Sequence, residues 1–209
     1  MPPKLLKIGV MGGTFNPIHH GHLITAEEAF VQFGLDKVIF MPTGWPPHKE
    51  DKEIISAEDR YLMTVIATAP NPHFTVSRLE VDRPGPSYSI DTIKALREIY
   101  GQPSEIFFIT GADAVWEILT WKQPEILTEL CNFIAATRPG YDLEKFKKMH
   151  PDGEKIKTPK VFFMEVPALA ISSTDIRRRV SEGRPIRYLV PEGVANYIYK
   201  YEFYAEKTD

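Results

Sequence analysis

The sequence predicts a doubly wound α/β fold, a Rossmann-like parallel sheet with helices on both faces. Three observations predict it. Short apolar runs alternate with longer segments of helical periodicity along the 209 residues. Several of these runs are apolar at consecutive positions, as in EIFFIT (Glu105 to Thr110), the mark of strands buried on both faces. Strands separated by helices of this length imply right-handed crossovers and parallel pairing. A chain of this size supports one sizeable core, so residues 1–209 read as a single domain with C-terminal helices from about residue 174.

The strand candidates are Leu5 to Met11, Lys37 to Met41, Phe74 to Leu79, Glu105 to Thr110, Asn132 to Thr137 and Val161 to Glu165. Between the first two, Leu23, Ala26, Phe30 and Phe33 fall on one helical face, with Gly34 as a stop. Ile90, Ile93, Leu96 and Tyr100 share another face, ended by Gly101. Further helices are expected from about Thr174 and after Pro191. Tyr141 to Pro159 carries the weakest signal and reads as a surface excursion.

Composition removes several function classes. The chain is 43% hydrophobic and 25% charged, which excludes disordered and fibrous types. A net charge of -3 gives no basis for binding nucleic acid through a global positive field. Cys131 is the single cysteine, so there is neither a disulfide framework nor a cysteine metal cluster. No apolar stretch approaches the roughly 18 residues that span a bilayer. A cytoplasmic protein is expected, with no nucleic-acid or membrane partner, and homo-oligomerisation is left open.

In open α/β sheets ligands bind outside the carboxyl ends of the strands. There the first strand runs into VMGGTFNPIHHGH, residues 10–22. Gly12 and Gly13 let a ligand approach their backbone N–H groups. The helix starting near Gly21 turns unpaired N–H groups and its positive dipole end to the same space. His19 and His22, three apart, share one side of that first turn. The set suits phosphates. It is not a Walker loop, since no GK[ST] follows, and its glycine spacing is not the dinucleotide fingerprint. The histidines lack Cys, Asp or Glu at zinc-ligand spacing.

GGTFNPIHHGH resembles the N-terminal signature of the nucleotidylyltransferase superfamily, whose HxGH element is here His19-His20-Gly21-His22. The GGTFxPxHxGH form is most similar to the bacterial nicotinate-nucleotide adenylyltransferases. That resemblance implies adenylyl transfer from ATP to nicotinate mononucleotide, giving deamido-NAD and pyrophosphate with Mg²⁺. It implies ATP contacts at Gly12, Gly13, Thr14 and Phe15, and an acceptor contact at Asn16.

ISSTDIRRRV (Ile171 to Val180) supplies the other half of the superfamily pattern, ISSTxIR. Physically, Ser172 and Asp175 form an S-x-x-D capping box that starts a helix. Ser173 and Thr174 offer hydroxyls and N–H groups at its positive end, and Arg177 adds a guanidinium fork suited to phosphate oxygens. Arg178 and Arg179 read as a solvated face. The resemblance adds Ile171 and Ser172 to the ATP set.

Three segments between these halves also resemble the family. TGWPPHK implies Lys49 on the phosphates. PSYSIDT implies Ser87, Tyr88 and Ser89 around the nicotinate carboxylate, with Ser89 opening a helix as its N-cap. TGADAVWEILTWK implies Gly111 and Asp113 at the adenosine and Trp121 stacked on the pyridine ring. Trp45 and Trp116 lie nearby, the latter read as core. Lys122 stands where the family commonly has an aromatic, which fits contact through its backbone N–H and leaves the side chain free to vary. Arg138, in ATRPG, borders the acceptor site by the same resemblance, and Leu189 to Ile198 is a structural helix.

The expected mechanism is direct in-line attack of the mononucleotide 5′-phosphate on the α-phosphorus of ATP. His19, His22, Lys49 and Arg177 supply charge or donors, and Mg²⁺ sits on phosphate oxygens and water. Alternatives are an adenylyl or cytidylyltransferase for another phosphorylated acceptor (nicotinamide mononucleotide, phosphopantetheine), or a non-catalytic nucleotide-binding protein.

Overall fold

The computed structural model describes residues 5–46, 54–112, 114, 118–137, 161–167 and 170–206. The elements run β1 (Leu6–Gly13), α1 (His20–Phe33), β2 (Lys37–Pro42), α2 (Ala57–Thr68), β3 (Phe74–Val76), α3 (Ser89–Tyr100) and β4 (Ser104–Gly111). A 3₁₀ turn (Ile118–Thr120), α4 (Pro124–Leu130), β5 (Asn132–Thr137), β6 (Val161–Glu165), α5 (Ser173–Ser181) and α6 (Glu192–Lys200) follow. The strands form one six-stranded sheet in the order β3-β2-β1-β4-β5-β6. This is the doubly wound order, reversing direction between β1 and β4. Pairing is parallel from Leu6 opposite Ser104 to Met11 opposite Ile109, and from Phe107 opposite Asn132 to Gly111 opposite Ala136. It is parallel again between β5 and β6.

Backbone contacts cluster into two compact units. The first contains residues 1–12, 25–39 and 88–168, the second 13–24, 40–87 and 169–209. In the first, the consecutive apolar strands are buried as expected: Ile8, Val10, Ile106, Ile109, Phe133 and Ile134 are all fully inaccessible. Ile93 and Leu96 of α3 and Ala29 of α1 are buried as well. Arg97 of α3 donates to the carbonyls of Leu130 at 2.9 Å and Ser104 at 2.6 Å, tying the end of α4 to the start of β4. In the second unit Phe40 lies between Phe15 (5.9 Å) and Phe74 (5.1 Å). Burying a ring of that size contributes about 1.5–3 kcal/mol. Helix α2 packs on α6, where the Tyr197 hydroxyl donates to Asp59 at 2.9 Å.

Gly34 and Gly101 end their helices in left-handed backbone (φ +57° and +60°), as the sequence predicts. Three details differ from expectation. β3 stops at Val76 instead of Leu79, because the Ser77 hydroxyl accepts the Leu79 N–H at 3.2 Å and bends the chain. Tyr88, not Ser89, is the N-cap of α3, and it makes no side-chain capping bond. Helix α2 is not anticipated, because its buried face carries Arg60, Thr64 and Thr68 while Leu62 and Val65 are exposed. The Tyr141 to Pro159 excursion lies outside the described residues.

Candidate active site

The loop after β1 is fixed through its carbonyls. Gly13 O accepts from Thr43 N (2.9 Å), Thr14 O from Arg60 Nη1 (2.7 Å), Asn16 O from Arg177 Nη1 (3.0 Å) and Pro17 O from Ser173 Oγ (2.8 Å). In a trans peptide the N–H points opposite to its carbonyl. Holding the carbonyls of Gly13 and Thr14 therefore aims the N–H groups of Thr14 and Phe15 the other way. Phe15 has φ +48°, rare for a side-chain-bearing residue, and a left-handed residue in such a loop builds an anion-binding concavity. Gly13 must stay small, since a Cβ there would lie 2.8 Å from the Phe15 ring.

His19 and His22 stack at 3.7 Å between centroids, and the Phe15 ring meets His22 edge-on at 5.0 Å. The His19 N–H donates to His22 Nδ1 at 3.2 Å, so the proton of His22 resides on Nε2. Burial pushes the His22 ring well below its ordinary range, and the neighbouring His19 adds to this. His19 falls to about 4, again mainly through burial and then through His20. Both rings are neutral at pH 7, so of the two contributions expected, charge or donors, His22 is left with the donor. Among the described residues His19 Nδ1 is buried and meets no hydrogen-bond partner. A Cβ on Gly21 would sit 3.0 Å from that nitrogen, which gives the glycine between the histidines a spatial reason.

This depression sets a pH dependence of stability. The unfolded chain protonates His19 below pH 6.5, whereas the folded chain does so only near 4. Stability should therefore fall as pH drops through that window, by about 3 kcal/mol from His19 alone, and level off below it. Urea midpoints at pH 7, 6 and 5 should decline in the wild type and decline less steeply in His19→Asn, where the buried His22 still contributes. Identical declines in the two proteins would remove the ring as the cause.

At the start of α5 the predicted cap is present, with Ser172 Oγ accepting the Asp175 N–H at 3.1 Å. The Ser173 hydroxyl is turned to Pro17 O, so its side chain braces the loop and leaves its N–H as the helix-end donor. Arg178 and Arg179 pair with Asp175 at 2.5 and 2.7 Å; Arg178 is exposed as expected, whereas Arg179 is half-buried. Thr174, Arg177 and Arg178 line a cavity of about 650 Å³ together with Ile55, Phe203 and Tyr204. Arg177→Lys should lower turnover on the order of tenfold, because an ammonium cannot hold Asn16 O and also present a fork to a ligand. Arg178→Lys should leave it unchanged. Equal behaviour of the two variants in a steady-state assay would mean that the wrong face of α5 has been assigned.

Two residues outside any motif organise this unit. Arg60, 1% exposed, donates through Nε to Ile55 O (3.2 Å), Nη1 to Thr14 O (2.7 Å) and Nη2 to Gly44 O (3.0 Å). The Tyr204 hydroxyl donates to Asn16 Oδ1 at 2.8 Å, and Ile55 N shares that oxygen at 3.4 Å. Asn16 is buried and its side-chain oxygen serves the protein's own network, where an acceptor contact was expected. Ser87 is likewise engaged internally, its hydroxyl accepting the N–H groups of Gly44 and Trp45 at 3.2 and 3.3 Å. Gly44 has no room for a side chain, since a Cβ would lie 2.0 Å from Glu80 O.

In the first unit Gly12 lies against the Phe108 ring, where a Cβ would sit 3.0 Å from Cζ, and Gly111 ends β4 exposed. Trp121 meets Phe108 edge-on at 5.7 Å, and its own N–H donates to Ile118 O at 3.0 Å. The Lys122 side chain is not idle. Its Nζ bonds Asp91 at 3.1 Å and lies 4.4 Å over the Tyr88 ring, coupling the turn after the 3₁₀ helix to the start of α3. Lys49, Asp113 and Arg138 lie outside the described residues.

Comparison with known proteins places these features in context. Residues 10–179 match the family model described as cytidylyltransferase-like. A protein of a Thermoanaerobacter species named nicotinate-nucleotide adenylyltransferase is 53% identical, covering 98% of this chain and 97% of its own. A Moorella thermoacetica protein of the same name is 52% identical over 97% and 94%. Among solved structures, the Plasmodium falciparum nicotinic acid mononucleotide adenylyltransferase complexed with NaAD aligns with a TM-score of 0.77, covering 95% of this chain and 97% of that one. At 20% identity that likeness speaks for the fold alone.

Proposed function

The chain belongs to the nicotinate-nucleotide adenylyltransferases of the cytidylyltransferase-like family, and on that premise we propose which of its residues carry the reaction. The enzyme transfers the adenylyl group of ATP to nicotinate mononucleotide, releasing pyrophosphate in NAD biosynthesis. The observation that carries the assignment is the cradle after β1: two backbone N–H groups turned outward by tied carbonyls, beside a His22 fixed as an Nε2–H donor.

The acceptor 5′-phosphate oxygen attacks the α-phosphorus of ATP, and the bond to the pyrophosphate oxygen breaks. The N–H groups of Thr14 and Phe15, the start of α5 at Ser172 to Thr174, and Arg177 hold the phosphates. His22 donates to the charge that grows on the transferring group. Because His22 is neutral, it adds hydrogen bonding without cationic charge, and Lys49 is assigned the counter-charge. Direct displacement fits the state of Cys131, whose thiol burial pushes up to about 12 and so keeps from acting as a nucleophile. Gly12, Gly111, Asp113 and Ile171 are assigned to ATP. Tyr88, Ser89, Trp121, Lys122 and Arg138 are assigned to the acceptor, while Asn16 and Ser87 act by shaping loops.

Among the described residues no cluster of His, Cys, Asp or Glu suits a metal ion. Mg²⁺ prefers phosphate oxygens and water, and on that ground it is assigned to ATP. Neither compact unit is a contiguous stretch, which favours residues 1–209 acting as one domain. Among the described residues no helix is long and apolar enough to cross a membrane, in keeping with a cytoplasmic enzyme.

Acceptor choice tests the reading. A carboxylate accepts only, so it suits N–H donors at the start of α3, whereas an amide turns an NH₂ against one of them. That mismatch costs about 1–3 kcal/mol and a lost charge-assisted bond adds to it, so kcat/KM should favour the nicotinate form by at least ~10². Pyrophosphate release with each mononucleotide measures this, and equal values would dismiss the carboxylate pocket.

A further inference from the structure

The C-terminal tail beyond α6 is built in a way that its position in the sequence does not explain. Tyr201 caps α6 with its N–H on Tyr197 O (3.2 Å), and the chain then turns back on the helix through Phe203 N to Ile198 O (3.1 Å). Tyr197, Tyr201 and Phe203 pack ring on ring at 4.6 to 6.0 Å. Glu202 and Tyr204 both adopt left-handed backbone, at φ +52° and +65°. Side-chain-bearing residues hold that conformation only where surroundings over-determine it, and such residues gather at clamps and active sites. The strained backbone delivers Tyr204 to a wall of the cavity it shares with Thr174 and Arg177, with its hydroxyl 2.8 Å from Asn16 Oδ1.

Asn16 follows Phe15, whose N–H belongs to the phosphate cradle. Its carbonyl is already held by Arg177 and its side chain by Ile55 N. Removing the Tyr204 bond frees one side of a buried amide in the middle of the loop. We propose that Tyr204 is a positioning residue for adenylyl transfer, acting through Asn16 to hold the Gly13–Pro17 loop in its anion-binding shape. This rests on the reading of that loop as the phosphate cradle. Tyr204 touches no reacting atom in this scheme. Burial raises its phenol above the ordinary range, so the hydroxyl remains a donor throughout the working pH range.

The test uses the full chain with ATP, Mg²⁺ and nicotinate mononucleotide, following pyrophosphate release. Tyr204→Phe keeps the ring and removes one oxygen. With rates normalised to the folded fraction read by circular dichroism at the assay temperature, it should lower kcat about tenfold while KM for both substrates shifts less than about threefold, a loss that a smaller folded population then cannot supply. In an Asn16→Ala background the same substitution should cost nothing further, because the bond it removes is already gone. Undiminished kcat in Tyr204→Phe, or an equal loss in both backgrounds, overturns the proposal. Should Tyr204→Phe melt below the assay temperature, Asn16→Ala alone carries the test, and full kcat there overturns it. His22→Asn separates the two readings. If it abolishes turnover while Tyr204→Phe does not, the cradle stands and the tail's role falls; if turnover is indifferent to both, the cradle itself has been misread.

Discussion

Replacing His22 by Asn should lower turnover by about 10²–10³ with the fold intact. The ring occupies two roles that this substitution separates. Its Nδ1 accepts the His19 N–H, which helps set the first turn of α1. Its Nε2 carries the proton that the proposed mechanism offers to the transferring phosphate. An Asn oxygen can stand in for Nδ1, but nothing in Asn reaches the place of Nε2–H. The loss is that of one preorganised transition-state donor, about 3–4 kcal/mol. His22→Ala should lose as much turnover and some stability besides, because it also removes the acceptor for His19 N–H and the Phe15 contact. Single-turnover rates with thermal melts of both variants give the check. A folded His22→Asn enzyme with near-wild-type turnover would remove the residue from the mechanism.

Arg60→Met should destabilise the protein by about 3–5 kcal/mol. Met fills much of the same volume, so the effect isolates the polar contacts. Three carbonyls, on Thr14, Gly44 and Ile55, lose their donor together, and an unsatisfied buried acceptor costs about 1–3 kcal/mol. Arg60→Lys should fall between, since an ammonium on a flexible stem cannot reach three diverging carbonyls at once. The same substitution releases the Thr14 peptide, so turnover at temperatures where the variant is still folded should drop as well. Urea unfolding measures the first effect. A midpoint within error of wild type would mean that the clamp holds nothing the loop does not hold for itself.

The sheet and its flanking helices were legible because their signals are local. EIFFIT is apolar at four consecutive positions, Ile106 to Ile109, and becomes a strand buried on both faces, and Gly34 and Gly101 end helices where left-handed backbone is needed. The stretch proposed as the phosphate cradle stood out for the same reason: Gly12, Gly13, His19 and His22 lie within eleven residues and carry their chemistry in their types. The Ser172 cap of α5 was also local, since donor and acceptor are three residues apart.

What the residues at the cradle do was decided only by contacts across the chain. The family resemblance made Asn16 an acceptor contact. That Tyr204, 188 positions away, holds its side-chain oxygen is visible only in the folded chain. Arg60 sits among the exposed apolar residues of an inconspicuous helix, and only folding brings it to carbonyls 16 and 46 positions away. The state of the histidines belongs here too. Sequence supplies two imidazoles at a spacing of three, but their neutrality and the Nε2–H tautomer come from burial and from one backbone N–H. Chain-local geometry follows from torsional preferences and periodicity, which the sequence itself carries. A carbonyl's partner and a ring's dielectric surroundings depend on which distant segments arrive beside it, and tertiary structure alone decides that.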